Sequence, residues 1–288
     1  DYHAQGYAYE QMAILFRTNL GIRFVMDALM KGGIPFHMKD AIPNLFAHWI
    51  SLDIIAYLRL VSGTGNTRAN WLRIMNRPNR YIKREALAPF TSDISVAQLK
   101  AYYQDKDWML ERLDRLEYDL SIMKRMSPYA AIHYLSNAMK YQDYLKDYAK
   151  EHHINEQELL DVLNAVHESS QSCRTFAEWF TYIDTYTEEL QKQAKSPASK
   201  DANNESGVCL CTLHCAKGLE YPIVFIPDIN EDNIPHARAA VDADLEEERR
   251  LFYVGITRAK EHLHLYCVGE ASGKEKFPSR FLEELNEM

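Results

Sequence analysis

No run of about 18 apolar residues occurs in this chain, which excludes a membrane-spanning helix on the sequence pattern. Cysteine is scarce: five residues, an odd number without framework spacing, read as reduced thiols in a cytoplasmic protein rather than a disulfide scaffold. Excess positive charge is missing too. The 33 Lys and Arg against 41 Asp and Glu leave −8 at pH 7, which excludes a coat that binds nucleic acid through bulk charge. Any nucleic-acid contact has to come from local patches. There is no G-x-x-x-x-G-K-[ST]; the nearest approach, Gly273-Lys274, is followed by Glu275 and has Val268 where the first glycine belongs. The chain alone therefore lacks the main parts of a nucleotide hydrolase. No initiator methionine, basic-apolar leader or cleavage site appears at Asp1-Tyr2-His3, so no secretory signal is visible and the gene product is expected to start upstream. No internal repeat is present.

What is there is ordinary for a globular protein: 47% hydrophobic and 26% charged residues over 288, enough for one large domain or two smaller ones. Met12–Phe16 (MAILF) reads as a buried strand. Thr18 or Asn19 can cap the next helix, whose apolar face is Ile22, Val25, Met26, Leu29 and Met30. Gly32-Gly33 stops it and Pro35 prevents resumption. Ile34–Met38 reads as a second strand, and Ile50, Ile54, Leu58 and Val61 as another helix. This β-α-β-α opening predicts a parallel sheet with right-handed crossovers. The pattern breaks at Ser62–Thr67. Four to six helices are expected between Trp71 and about Leu190, and Gln191–Ser206 reads as a flexible linker. Strands are then expected at Val208–Leu213, Ile223–Ile226 and Leu263–Val268, with helices at Leu245–Thr257 and Phe281–Leu285. An α/β unit, interrupted by a helical insertion, is the expected layout.

Several residues could carry chemistry. Gly63-Thr64-Gly65 follows a helix rather than a strand and reads as a linker. Asp228, just past Ile223–Ile226, stands where a magnesium-binding aspartate would, but without a phosphate loop. Cys209, Cys211, His214 and Cys215 raise a metal site, yet structural zinc takes C-x₂₋₄-C pairs, and Cys209 and Cys211 suit a buried strand better; no metal site is expected. Arg17 ends the first strand and Arg258 ends the helix 245–257. Each alone reads as a surface charge. Together, near Lys217-Gly218, they could clamp a polyphosphate whose cradle belongs to another domain. The stretch Arg68–Arg84 holds Arg68, Arg73, Arg77, Arg80, Lys83 and Arg84 with Trp71 and Tyr81 interleaved, either a nucleic-acid surface or a solvated helix face.

Three segments then stand out together. Ala13-Ile14-Leu15-Phe16-Arg17-Thr18-Asn19 resembles helicase motif IV, Thr212–Tyr221 (TLHCAKGLEY) motif V, and Glu246–Ala259 (EEERRLFYVGITRA) motif VI. In order and character they resemble the UvrD/Rep/PcrA-like superfamily 1 DNA helicases. The likeness is strong from the start to about Val61 and from Gly207 to about Val268. Leu72–Pro78 resembles the entry to the family's helical insertion, but Asn79–Lys83 lacks the family's glycine, Phe46-Ala47-His48-Trp49 replaces an aromatic-acidic stretch, and the insertion is shorter.

The resemblance implies the second RecA-like domain of such a helicase: residues 1–64 and 206–288, an α/β parallel sheet flanked by helices, interrupted by an all-helical insertion at 65–205. It implies that Arg17 and Arg258 reach the γ-phosphate of ATP, with Phe16 against the adenine, Glu220 on the ribose and Gly218 permitting close backbone approach. Thr212, His214 and Lys217 would meet single-stranded DNA. ATP with Mg²⁺ is the implied cofactor, its cradle and metal ligands lying in the N-terminal RecA-like domain of the same protein. The parent would be an ATP-dependent helicase acting 3′ to 5′ on single strands and single/double-strand junctions, with this fragment inactive alone. Two other readings stand beside it: the helicase half of a helicase–nuclease repair subunit, and a non-catalytic DNA-binding scaffold.

Overall fold

The computed structural model describes residues 1–39, 43–195, 207–237, 239, 241–271 and 274–286. They fall into two compact units, Asp1–Ile42 with Gln191–Met288, and Pro43–Leu190.

The first unit is a five-stranded sheet, parallel throughout, in the order β2-β3-β1-β4-β5, an α/β fold of the RecA-like kind. β1 (Met12–Phe16) is buried along nearly its whole length, as a continuous apolar run requires in a sheet covered on both faces. α1 (Asn19–Lys31) buries Ile22, Met26 and Leu29. It ends in a Schellman pattern: Gly33 turns left-handed (φ 63°), Ile34 N–H donates to Leu29 O at 2.9 Å and Gly33 N–H to Met30 O at 3.1 Å. Thr18 is the cap residue, though its side chain makes no capping bond. β2 (Phe36–Met38) starts two residues later than expected, because Ile34's N–H is spent on the helix end and Pro35 has none.

The second unit is helical. It contains α2 (Trp49–Ser62), α3 (Arg68–Ile74), α4 (Val96–Tyr102), α5 (Asp107–Met123), α6 (Pro128–Asn137), α7 (Tyr141–His152), α8 (Glu156–Ser169) and most of α9 (Phe176–Lys195). Seven of these eight, α3 to α9, fall in the stretch where four to six were expected. α3 and α4 are seven residues each, too short for their periodicity to register. α2 groups with this unit rather than with the sheet, since its buried Ile50, Ile54, Tyr57 and Leu58 pack among the helices. α9 continues through Gln191–Lys195, correcting the start of the expected linker; its remainder, 196–206, lies outside the described residues.

The sheet resumes with β3 (Val208–Thr212), which inserts between β1 and β2, and β4 (Tyr221–Ile226) on the other side of β1. α10 (Asp242–Ile256) leads into β5 (Ala259–Leu265), which begins four residues before its expected start. β5 is an edge strand with residues 260–263 exposed, so its first half carries no apolar run to read. A small hairpin, β6 (Glu270–Ala271) and β7 (Lys274–Glu275), precedes α11 (Arg280–Asn286). The core gathers Leu15, Leu213, Ile226, Phe252 and Phe281.

Candidate functional site

A parallel sheet has two chemically different edges, and the candidate residues divide between them. At the C-terminal edge β1 and β3 end side by side, Phe16 level with Thr212. Leu213 N–H donates to Phe16 O at 2.8 Å, and the Thr212 hydroxyl accepts from Cys215 N–H at 3.4 Å, opening a turn. That turn exposes His214 and Lys217. Phe16 is 3% exposed, its ring packed beneath Gly21, where an added Cβ would lie 3.0 Å from it. It is a core residue of this unit.

Arg17 does not point a vacant guanidinium at this edge. Its Nε and Nη2 form a fork on the Glu248 carboxylate, at 2.8 and 2.5 Å for the shorter contacts, and His236 N–H donates to the same carboxylate at 3.1 Å. Both side chains are largely buried. Burial pushes the Glu248 carboxyl up, but the Arg17 hydrogen bonds and the His236 N–H together hold it below its ordinary value. Glu248 is the residue that sequence reasoning missed: three successive acids open motif VI, and only helical register shows which of them faces inward.

The N-terminal edge holds a second group. Leaving the Thr212 turn, the segment 213–220 returns across the sheet to the start of β4, with Gly218 left-handed at φ 85° and open space where a Cβ would be. Arg258, at the end of α10, donates from Nε to Val254 O at 2.8 Å, from Nη1 to Leu219 O at 3.0 Å and from Nη2 to the Thr257 hydroxyl at 3.0 Å. Its carbonyl accepts from Tyr221 N–H at 2.9 Å. Glu220 pairs with Lys260 at 3.2 Å, both exposed. Gly218, Glu220 and Arg258 are thus brought together. α10 packs closely on this segment: a Cβ on Gly255 would lie 2.4 Å from Leu213 Cδ2, so any side chain there forces Leu213 to shift.

The register does not bring Arg17 and Arg258 together. Ala259 pairs with Tyr221, two residues before Ile223, which pairs with Met12, and Phe16 lies four residues further on. That is roughly 20 Å of strand between the two levels. The two arginines read from the sequence as one clamp thus lie at opposite edges of the sheet, since register rather than sequence order decides the edge at which a residue lies. Phe16 likewise sits at the edge opposite Gly218 and Glu220.

The basic stretch also resolves. Arg73 and Arg77 both donate to Asp53, at 3.2 and 2.8 Å, joined by the Tyr141 hydroxyl at 2.9 Å. Arg80 donates to the carbonyls of Ile74 and Pro78, and Trp71 is buried with its N–H on Asn66 at 2.8 Å. Three of its six basic residues thus serve as internal scaffolding, while Tyr81, Lys83 and Arg84 are exposed. Cys209 and Cys211 are fully buried in β3, and among the described residues no group of three or more His, Cys, Asp and Glu is placed to hold a metal ion.

Comparison with known proteins adds the following. The family model of the UvrD-like helicase C-terminal domain matches residues 1–269. YjcD of Bacillus subtilis (strain 168), provisionally named an ATP-dependent DNA helicase, is 30% identical over 96% of this chain and 36% of its own length. The ATP-dependent DNA helicase PcrA of Staphylococcus epidermidis is 29% identical over 98% of this chain and 40% of its own length. PcrA of Bacillus subtilis is 30% identical over 88% and 36%. The chain spans less than half the length of these relatives.

Proposed function

We propose, from the premise that the chain belongs to the UvrD-like helicase C-terminal domain family, that it is one motor half of an ATP-dependent DNA helicase or translocase. The observation that carries this reading is the segment 213–220. It starts beside Thr212 and the exposed His214 at one sheet edge and ends at the other, where the Leu219 carbonyl, between Gly218 and Glu220, accepts from Arg258. A rigid element that touches both edges can tie grip on a strand to the state of a nucleotide.

The N-terminal edge suits a nucleotide chemically. Arg258 offers a planar cation, Gly218 leaves backbone accessible, and Glu220 presents a carboxylate for ribose hydroxyls. ATP with Mg²⁺ supplies the phosphoanhydride bond whose cleavage drives the cycle; the phosphate cradle and metal ligands belong to an N-terminal RecA-like domain of the parent. Arg258 neutralises charge gathering on the γ-phosphoryl oxygens, exchanging its bonds to Leu219 O and Thr257 for phosphate oxygens. Thr212, His214 and Lys217 hold phosphates of a single strand. Arg17 is assigned a different task from the one its motif suggested: it holds Glu248 and so ties the middle of α10 to the end of β1.

In the parent polypeptide, Arg258→Ala should lower DNA-stimulated kcat by at least roughly 10², the low side of an arginine finger's contribution. Arg258→Lys should not restore it fully, because an ammonium does not reproduce the fork. His214→Ala should weaken single-strand affinity first. Phosphate release and strand affinity measured side by side test this, and near-normal kcat in Arg258→Ala would sink it. The 288-residue chain alone should turn over no ATP.

A further inference from the structure

The helical unit exposes one group of side chains that none of these roles uses. Tyr81 is 59% exposed and Trp108 50% exposed, and the Arg112 guanidinium lies over both rings, 5.0 Å from the Tyr81 centroid and 5.1 Å from that of Trp108. Tyr81 arrives from the turn after α3, whereas Trp108 and Arg112 stand one turn apart on α5.

The turn that presents Tyr81 is locked. The Asn76 side chain accepts from Arg80 N–H and Ile82 N–H and donates to Ile82 O, and the Asn79 side chain accepts from Tyr81 N–H at 3.1 Å. Tyr81 itself is left-handed at φ 61°, a conformation that costs an aromatic residue more than Gly or Asn. A bulky ring is thus held rigidly in water at a backbone position that disfavours it. Strain of this kind points to a use for the side chain.

We propose that Tyr81, Trp108 and Arg112 form a stacking platform for one or two unpaired bases of a single-stranded nucleic acid. Arg112 already supplies the cation between the rings, so a cationic ligand is disfavoured and the free ring faces accept a flat, neutral group. Base faces are hidden inside a duplex, so the platform selects single strands. Lys83 and Arg84, exposed just beyond Tyr81, suit the adjoining phosphates. Asp107 and Glu111 flank Trp108 and Arg112 on α5 and offset that charge. Stacking, not counterion release, therefore supplies most of the affinity, and the salt dependence is shallow. The platform rests on the reading that this chain handles DNA, but uses neither edge of the sheet.

The test is fluorescence anisotropy of labelled (dT)₁₂ and of a blunt hairpin duplex with the 288-residue chain, at two salt concentrations. Tyr81→Asn removes the ring without adding backbone strain, and Trp108→Phe keeps a stacking face that Trp108→Ala loses. Expected are single-strand affinities about 5- to 100-fold lower for Tyr81→Asn and Trp108→Ala, and near-normal for Trp108→Phe, with unchanged far-UV circular dichroism. His214→Ala serves as the control at the sheet edge. If strand binding falls in His214→Ala but not in the aromatic variants, the sheet-edge reading stands and the platform is wrong; the reverse pattern keeps the platform and overturns the assignment of His214. Duplex binding equal to single-strand binding, capture of a protein partner by this surface with no strand binding, or no measurable binding of (dT)₁₂ would each overturn the platform.

Discussion

Glu248 in the sheet unit and Asp53 in the helical unit are both buried carboxylates gripped by arginine, and burial pushes both up, yet Glu248 ends below its ordinary value and Asp53 above. Asp53 has the more donors, two arginines and a tyrosine, but its side chain is fully buried. Desolvation pushes its carboxyl above the ordinary value, against the pull of Arg77, Tyr141 and Arg73. The same contact raises Arg77 in spite of that residue's own burial. Glu248 meets a single guanidinium fork and one backbone N–H, keeps a little solvent, and is held below its ordinary value. The lesson is that donor geometry and residual hydration outweigh donor number.

Removing the carboxylates should separate the units. All four tryptophans, at 49, 71, 108 and 179, lie in the helical unit, so their emission follows that unit. Asp53→Ala strands two arginine charges and the buried Tyr141 hydroxyl, and should cost about 3 kcal/mol or more in urea unfolding followed by tryptophan emission. Glu248→Ala leaves one guanidinium and one N–H unpaired, and should cost about 2 kcal/mol, read mainly by far-UV circular dichroism. Equal shifts of both signals in both variants would break the comparison.

A packing change in the sheet unit sharpens it. Gly255→Ala forces a methyl onto Leu213, a fully buried side chain, and should cost roughly 1–3 kcal/mol by overpacking. Unlike loss of Glu248, that cost should not vary with pH. A loss that tracks pH would show that α10 is positioned by charge rather than by contact.

The smallest effects are pH slopes, and their signs differ. A depressed acid stabilises the fold above its unfolded value and loses that contribution as pH falls; for Glu248 the window lies below its ordinary value of 4.5. A raised acid does the reverse, so Asp53 subtracts stability as pH rises above 3.8 through its folded value. Urea midpoints from pH 3 to 6 should therefore lose their acid-side fall in Glu248→Gln and their opposing slope in Asp53→Asn. Unchanged slopes in both would mean that other groups set the pH response.

Legibility followed burial. β1, β3 and β4 are central and apolar on both faces, so their positions could be read directly. β5 was read late because an edge strand needs no apolar run at Lys260-Glu261-His262. At the site, the roles of Thr212, His214 and Gly218 came from the resemblance of their segment to helicase motif V, whereas Arg258 near Lys217-Gly218 could be singled out from the residues themselves. The partner of Arg17 was not legible, because a strand-end arginine looks the same whether it awaits a ligand or grips a carboxylate 231 residues away. No local pattern tells the two edges of a parallel sheet apart; strand register does.

The strand order has a consequence for how the protein is made. β3 is the partner that β1 and β2 share, yet it leaves the ribosome only after the whole helical unit, Pro43–Leu190. At about 5–20 residues per second, the two early strands wait on the order of ten seconds or more with no neighbour in the sheet. The helical unit is one unbroken stretch and can close on itself in the meantime. Of these two units, biosynthesis thus completes the inserted one before the interrupted sheet.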